Sequence, residues 1–241
     1  MRLKVSRSFQ PGIAGSLALL ALASLFVSMG WWQTKRAAEK SAIEQQHQTA
    51  NIVSFNQALT GGHRFAQIDV SGHYDVDRHI LLDNKIWHGR GGVHVFTPFH
   101  TLDGTTILVN RGWLPLAADR KSFPEIPTPE HDTVLRGMLN IFPVPGRILG
   151  AADKMQTDNW PQLVTYLNHD DVAESLNLPL ENWVIQLSKA EQGGFEDRDW
   201  KPVFLSSDRH KGYAFQWFAL ASACLLLWIF MGYRKPTENQ T

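Results

Sequence analysis

Cysteine is almost absent from the sequence, because Cys224 is the only one among 241 residues. A single cysteine cannot form an intrachain disulfide or a paired-thiolate metal site, which excludes copper chaperones that rely on two cysteines. Cys224 lies inside an uncharged run near the C-terminus, where we expect it to be a small packing residue.

Sequence motifs of the common enzyme classes are also missing. The chain has no nucleophile elbow, no His-Glu-x-x-His zinc motif, no phosphate-binding loop and no dinucleotide fingerprint. The glycine-rich segment at 89–92 lies between predicted strands rather than before a helix, so we interpret it as a turn. Acidic and basic residues number 23 each, and this balance argues against a nucleic-acid partner.

Charged residues are absent from two long runs, 8–34 and 212–233. As a helix, the second run would be roughly 33 Å long at about 1.5 Å per residue, which matches the hydrocarbon thickness of a bilayer. The mean hydropathy of −0.21 argues against a transporter with many spans, because most of the chain must then face water. We therefore predict two transmembrane helices, at 11–32 and at 212–233.

A cleavable signal peptide is the alternative for the first run. Arg2, Lys4 and Arg7 form a basic start, and Ala21-Leu22-Ala23 resembles a cleavage site. The apolar stretch continues beyond that point to Trp32, which favours an uncleaved anchor.

Two spans would place both termini on the same side of the membrane. Basic residues flank the first span on both sides, so the positive-inside rule is only suggestive here. We predict a cytoplasmic N-terminus at 1–10, a domain outside the cytoplasm at 33–211 and a cytoplasmic tail at 234–241. The polar segment 33–48 has no helix breaker and is expected to extend the first helix.

The region between the spans is expected to be rich in β-structure. Apolar and polar residues alternate over 65–76, which is typical of a half-buried strand, and Gly72 interrupts the pattern. Asp103-Gly104 indicates a hairpin turn. A short helix is predicted at 171–176, with Asp170 as its N-cap. Further strands are predicted at 79–87, close enough to the first for a hairpin, and at 93–99, 105–116, 133–142, 183–187 and 203–205.

These elements predict a two-span membrane protein with helices at both ends and a mainly-β, barrel-like or sandwich-like α+β domain outside the cytoplasm. Three side chains in that domain are conspicuous. His94 and His100 match no standard metal spacing and are expected to be exposed or satisfied within the core. Arg111 stands in an apolar run, so we expect a structural ion pair with a carboxylate.

His210 is a candidate ligand, because it comes two residues before the second charge-free run and neutral imidazole binds haem iron. On a helix, Ala214 and Trp217 would share its side. The alternative is an interfacial cationic anchor followed by an aromatic belt. Neighbouring cations for propionates and rings for a porphyrin face are Arg209, Lys211, Tyr213, Phe215, Trp217 and Phe218.

Five segments together resemble the surfeit locus protein 1 family of cytochrome c oxidase assembly factors, in a bacterial form. They occur in the family's order and extend over nearly the whole chain. The segments are GWWQTKR at 30–36, GHY at 72–74, GRGGVHVFTP at 89–98, LVNRGWLP at 108–115 and RHKGYAFQWFA at 209–219.

The resemblance implies a multi-pass protein of the bacterial inner membrane, with its domain in the periplasm and no enzymatic activity. It implies that the protein assists the delivery or insertion of haem A into subunit I of a haem-copper oxidase, with haem A synthase and the lipid bilayer as further partners. The family's proposed haem-ligating histidine maps onto His210, beside Tyr213 and Trp217. A cofactor-free scaffold for assembly intermediates and a membrane-anchored periplasmic enzyme are the alternatives.

Overall fold

The computed structural model of the protein describes residues 8–9, 11–49, 52–144, 155–200 and 206–234. The predicted strand at 203–205 and most of the terminal segments 1–10 and 234–241 lie outside these residues. The helices are α1 (Ile13–Gln48), α2 (Phe55–Thr60), α3 (His169–Leu176) and α4 (Ser207–Gly232). The strands are β1 (Ser8–Phe9), β2 (Gln67–Tyr74), β3 (Ile80–Trp87), β4 (Arg90–Thr101), β5 (Thr106–Pro115), β6 (Thr133–Asn140), β7 (Gln162–Val164), β8 (Val184–Leu187) and β9 (Tyr233–Arg234).

Helices α1 and α4 belong to one compact unit, made of residues 1–45 and 202–241. Both helices are long and apolar enough to cross a membrane. Helix α1 has 36 residues and continues through the polar segment, as predicted, because nothing there breaks it. Cys224 is buried in α4, in agreement with a packing role.

A closed five-stranded barrel forms the second unit, residues 46–201. Its strands follow one another in the ring β2-β6-β8-β5-β4, and β4 pairs again with β2. Strands β5 and β8 are parallel, and the other pairs of the ring are antiparallel. Outside the ring, β3 pairs with β4, and β7 pairs with β3. Of the two predicted architectures, the structure has the barrel.

Gly72 is the residue at which the ring closes. It lies opposite Thr133 of β6 and also opposite Thr101 of β4, so β2 changes partner at this point. A Cβ atom here would overlap the carbonyl oxygen of His100. The glycine that interrupts the alternating pattern is therefore a requirement of barrel closure.

Two parts of the apolar core lie on the two faces of the barrel wall. Inside the barrel, side chains such as Tyr74, Phe99 and Val109 pack together with Phe55 of α2. Against the other face packs α3, whose Val172 is completely buried. Strand β5 contributes to both parts, which explains why its first eight residues are all buried rather than alternately buried and exposed.

Three local expectations were wrong or incomplete. Strand β3 forms its hairpin with β4, around the turn at Gly89, and not with β2. The N-cap of α3 is Asn168, not Asp170. The Asn168 side chain accepts hydrogen bonds from the backbone amides of Asp170 and Asp171, two of the free amides at the start of the helix. The sequence pattern also missed β7, since three residues are too few to show a period of two.

Replacing Gly72 with alanine should destabilise the β-domain by about 3 kcal/mol, because the added methyl group meets backbone rather than a movable side chain. The matched control is Gly91→Ala in β4, where a Cβ meets no atom within 4 Å. Thermal unfolding of the full-length protein in detergent, followed by tryptophan fluorescence, measures both variants. Equal unfolding temperatures for the two variants would contradict this account of barrel closure.

Candidate functional site

His210 lies in the first turn of α4 and hydrogen-bonds to α1. Its Nδ1 is 2.7 Å from Oε1 of Gln33, which lies 177 positions earlier in the chain. A carboxamide oxygen can only accept, so in this arrangement Nδ1 carries the proton and donates it. Nε2 then keeps an unshared electron pair, which is the form of imidazole that binds metals. Among the described residues, no hydrogen bond uses this Nε2.

The residues predicted to surround His210 fall into two groups. Ala214 is buried, and the half-buried ring of Trp217 packs against Phe26 of α1, with 5.7 Å between the ring centroids. These two residues therefore share the α1-facing side with His210, as the helical spacing predicted. Tyr213 is 44% exposed, so its ring is accessible to a ligand.

Cations stand on both helices near the level of His210. Lys211 pairs with Asp208 on the same helix, and Arg209 is exposed. On α1, the guanidinium of Arg36 lies 5.8 Å from the centre of the Trp32 ring. The donor set fits a haem group: one imidazole nitrogen for iron, aromatic surface for the porphyrin, and accessible cations for propionates.

Close packing and polar contacts hold α1 beside α4 in this region. Gly30 is buried, and a Cβ at this position would come within 2.8 Å of the Phe218 ring. The Glu44 carboxylate accepts from the backbone amide and the hydroxyl of Ser207, at 3.2 and 2.7 Å. Glu44 thereby satisfies one of the free amides at the start of α4 and places a negative charge at its positive end.

Arg111 is completely buried in the β-domain, and its partners are neutral. Its Nε donates to the Gly193 carbonyl at 2.7 Å, and Nη1 donates to the Thr128 hydroxyl at 2.7 Å. Nη2 donates to the Pro127 carbonyl. The predicted carboxylate partner is wrong: among the residues that the structure describes, no carboxylate pairs with this guanidinium.

Aromatic rings supply the rest of the surroundings of Arg111. Its guanidinium carbon lies 5.1 Å from the centre of the Tyr74 ring and 4.8 Å from that of Phe195. The negative faces of such rings attract a cation. Burial nevertheless lowers the pKa of Arg111 to about 10, so it remains charged at neutral pH.

His79 shares this buried polar network. Its Nδ1 lies 3.0 Å from the Thr97 hydroxyl, which also accepts a longer bond from Arg111, at 3.4 Å. Burial, and next the Arg111 charge, lower the pKa of His79 to about 4. The imidazole is therefore neutral at neutral pH.

The structure does not bring His94 and His100 together into a site. Nε2 of His94 is 3.6 Å from the Asp197 carboxylate, and Nδ1 of His100 is 3.1 Å from the Thr106 hydroxyl. Each histidine thus has polar neighbours of its own, as expected for satisfied side chains. Within the described ranges, no group of three or more His, Cys, Asp or Glu residues could hold a metal ion.

The chain is similar to known proteins over most of its length. A model of the SURF1 family matches residues 20–222, which include both α1 and α4 in large part. The chain belongs to the SURF1 family. This family is known for oxidase assembly factors and not for enzymes.

Curated relatives of the chain are SURF1-like proteins of Rickettsia species. The protein of Rickettsia conorii is 25% identical over 223 residues, which cover 88% of each chain. That of Rickettsia bellii is 23% identical over 234 residues, covering 93% of this chain and 92% of the relative. The similarity therefore extends over both helices and the barrel.

Sequence reasoning missed two residues that shape the His210 region of this SURF1 family member. Gln33 follows two tryptophans at the end of the first apolar run, and Glu44 lies in the polar segment behind it. Nothing local in the sequence connects either residue with α4. The one available signal was the position of Gln33 at the edge of the predicted membrane span, where polar side chains often bond to another helix.

Removing the Arg111 guanidinium should lower the free energy of unfolding of the β-domain. Arg111→Leu leaves the carbonyls of Pro127 and Gly193 unsatisfied, and we expect a loss of about 3 kcal/mol in the free energy of unfolding. The control is Arg136→Leu, since Arg136 is exposed and its pair with Asp69 should contribute less than about 1 kcal/mol. Denaturant unfolding of the full-length protein measures both; similar losses would refute a special role for the buried guanidinium.

Acid should destabilise the β-domain. Burial lowers the pKa of His79 and of His94 to about 4, below the value of about 6.5 for an unfolded histidine. Between these values the unfolded chain binds more protons, so this stability is complete above pH 6.5 or so and is lost as the pH falls toward 4. Burial also lowers the pKa of His100, whereas the hydrogen bond to Asp170 raises that of His169 and acts in the opposite direction.

Unfolding free energies measured between about pH 7 and about pH 5 test this expectation. We expect the free energy of unfolding to fall as the pH falls. Its slope against pH measures the protons taken up on unfolding, and His79 and His94 should each contribute about one. The His79→Gln variant should take up about one proton less on unfolding. A slope that this variant leaves unchanged would show that His79 is not a source of the acid sensitivity.

Proposed function

We propose that this SURF1 family member is an assembly factor for a haem-copper cytochrome c oxidase of the bacterial inner membrane, and that it holds haem A through His210. In this proposal α1 and α4 span the membrane and the barrel lies in the periplasm. Haem A comes from its synthase and passes to oxidase subunit I, where it supplies redox chemistry.

The observation that carries the proposal is the hydrogen bond between His210 Nδ1 and Gln33 Oε1. Metal-binding histidines generally donate their second ring N–H to a fixed acceptor, which orients the ring and raises the basicity of the ligating nitrogen. His210 makes a hydrogen bond of this kind, from its Nδ1 to Gln33. Its place in the first turn of α4 puts it just before the apolar part of the helix, within reach of a lipophilic ligand at the membrane surface.

The surroundings of His210 suit transient binding of haem. With His210 as the single protein ligand, haem would be held less tightly than between two axial ligands. Tyr213 is 44% exposed, so it offers ring surface without enclosing the porphyrin. Exposed Arg209 could meet a propionate and release it again at small cost, because exposed ion pairs are weak. These features favour handover over storage.

A cofactor-free scaffold is the second candidate function. The same hydrogen bond joins α1 to α4, so it also serves as a contact between membrane helices. In that case the protein steadies oxidase intermediates through its helices and barrel, and His210 has no ligand to bind.

An absorption spectrum separates the two functions. The full-length protein is purified in detergent from cells that make haem A, and compared with His210→Ala and with His88→Ala, which alters an exposed histidine of the β3–β4 turn. We expect haem A in the wild type and in His88→Ala, and at least about tenfold less in His210→Ala, which lacks the iron ligand.

Equal haem contents in the wild type and in His210→Ala would refute the role of His210. A wild type without haem, in cells with confirmed haem A synthesis, would leave the scaffold as the better account. Crosslinking to oxidase subunit I would then be the relevant measurement.

A further inference from the structure

We propose that Gln33 is a positioning residue that selects the tautomer of His210 and presents its Nε2 to the iron of haem. This inference rests on the proposed function. Gln33 touches neither iron nor porphyrin in this role; it acts through the 2.7 Å hydrogen bond to Nδ1.

The position of Gln33 makes it a well-fixed acceptor. It lies in the middle of α1, one turn after Gly30, where the two helices approach closely. Its side chain is half-buried, as is that of His210. An imidazole near the start of a helix can otherwise rotate freely, and a bond to a second helix removes that freedom before a ligand arrives.

The carboxamide has two orientations with opposite consequences. With Oε1 toward His210, Nδ1 is the protonated nitrogen and Nε2 keeps its electron pair. With the amide NH2 group toward His210, Nδ1 must accept, Nε2 carries the proton, and it cannot bind iron. The structure has the first orientation. In this orientation Gln33 favours the tautomer whose outward nitrogen, Nε2, is free to bind iron.

A glutamate at this position can only accept, so it enforces the ligating tautomer. A negative acceptor also raises the basicity of the imidazole and favours ferric over ferrous iron. A leucine keeps much of the side-chain volume and accepts nothing. Gln33→Glu and Gln33→Leu are therefore predicted to differ from each other, although both remove the carboxamide.

The experiment titrates full-length protein in detergent with ferric haem A and then measures the midpoint potential of the bound haem by spectroelectrochemistry. The variants are Gln33→Leu, Gln33→Glu and His210→Ala. The control is Ser16→Ala, which removes the 2.9 Å hydrogen bond from Trp228 to Ser16 between the same two helices. It tests whether any lost interhelical bond has the same effect.

We expect Gln33→Leu to bind haem A about 10–100-fold more weakly than the wild type. Gln33→Glu should bind at least as tightly as the wild type and shift the midpoint potential to a lower value. Ser16→Ala should match the wild type in both measurements.

Three results would overturn the inference. Wild-type affinity and potential in Gln33→Leu, together with loss of haem in His210→Ala, would reject positioning by Gln33 and leave the haem proposal intact. Equal weakening by Gln33→Glu and Gln33→Leu would reject the acceptor role. Unchanged binding in His210→Ala would instead reject the proposed function itself.

Discussion

The pairing of α1 with α4 is the constraint on which the candidate site depends. Lipid chains are as apolar as leucine, so membrane helices associate through close packing and polar contacts rather than through the hydrophobic effect. Here Gly30 lets the Phe218 ring approach the α1 backbone, and Glu44 caps the start of α4. Residues far apart in the chain can form one site only because these contacts fix the helices side by side.

The stability of the barrel depends on different features: the closure of its ring of strands and the buried guanidinium of Arg111. Closure lets each strand of the ring find a neighbour on both sides, which removes exposed edges. Arg111 donates to carbonyls at positions 127 and 193, and so connects two loops to strand β5. Neutral oxygens and aromatic faces hold this guanidinium without a counter-ion. Breaking such a network should destabilise the barrel, because its buried polar groups would lose their partners.

Sequence patterns predicted the parts of this structure that follow from local rules. Uncharged runs located both long helices, and period-two alternation located β2, since one face of that strand is buried and the other is not. Strand pairing was harder: the turn at 89–92 was predicted, but closeness in sequence did not show that β3 pairs with β4 rather than with β2. The partners of Arg111 and of His210 could not be predicted, as the 177 residues between Gln33 and His210 are connected only by the complete fold.

The Gln33–His210 contact can be interpreted as a link between two helices or as a support for a metal ligand, and the two interpretations predict different energetic contributions. Hydrogen bonds between membrane helices contribute about 0.6 kcal/mol on average, so this one adds little to helix association. Close packing at Gly30 and the Glu44 cap already supply contacts that need no imidazole. An imidazole held in one tautomer matters much more to a metal, since outer-shell partners change metal affinity by about 10–100-fold. The contact is thus weak as a helix linkage, whereas it would be strong as an orienter of a ligand, and this difference is the reason why we propose haem binding rather than scaffolding alone.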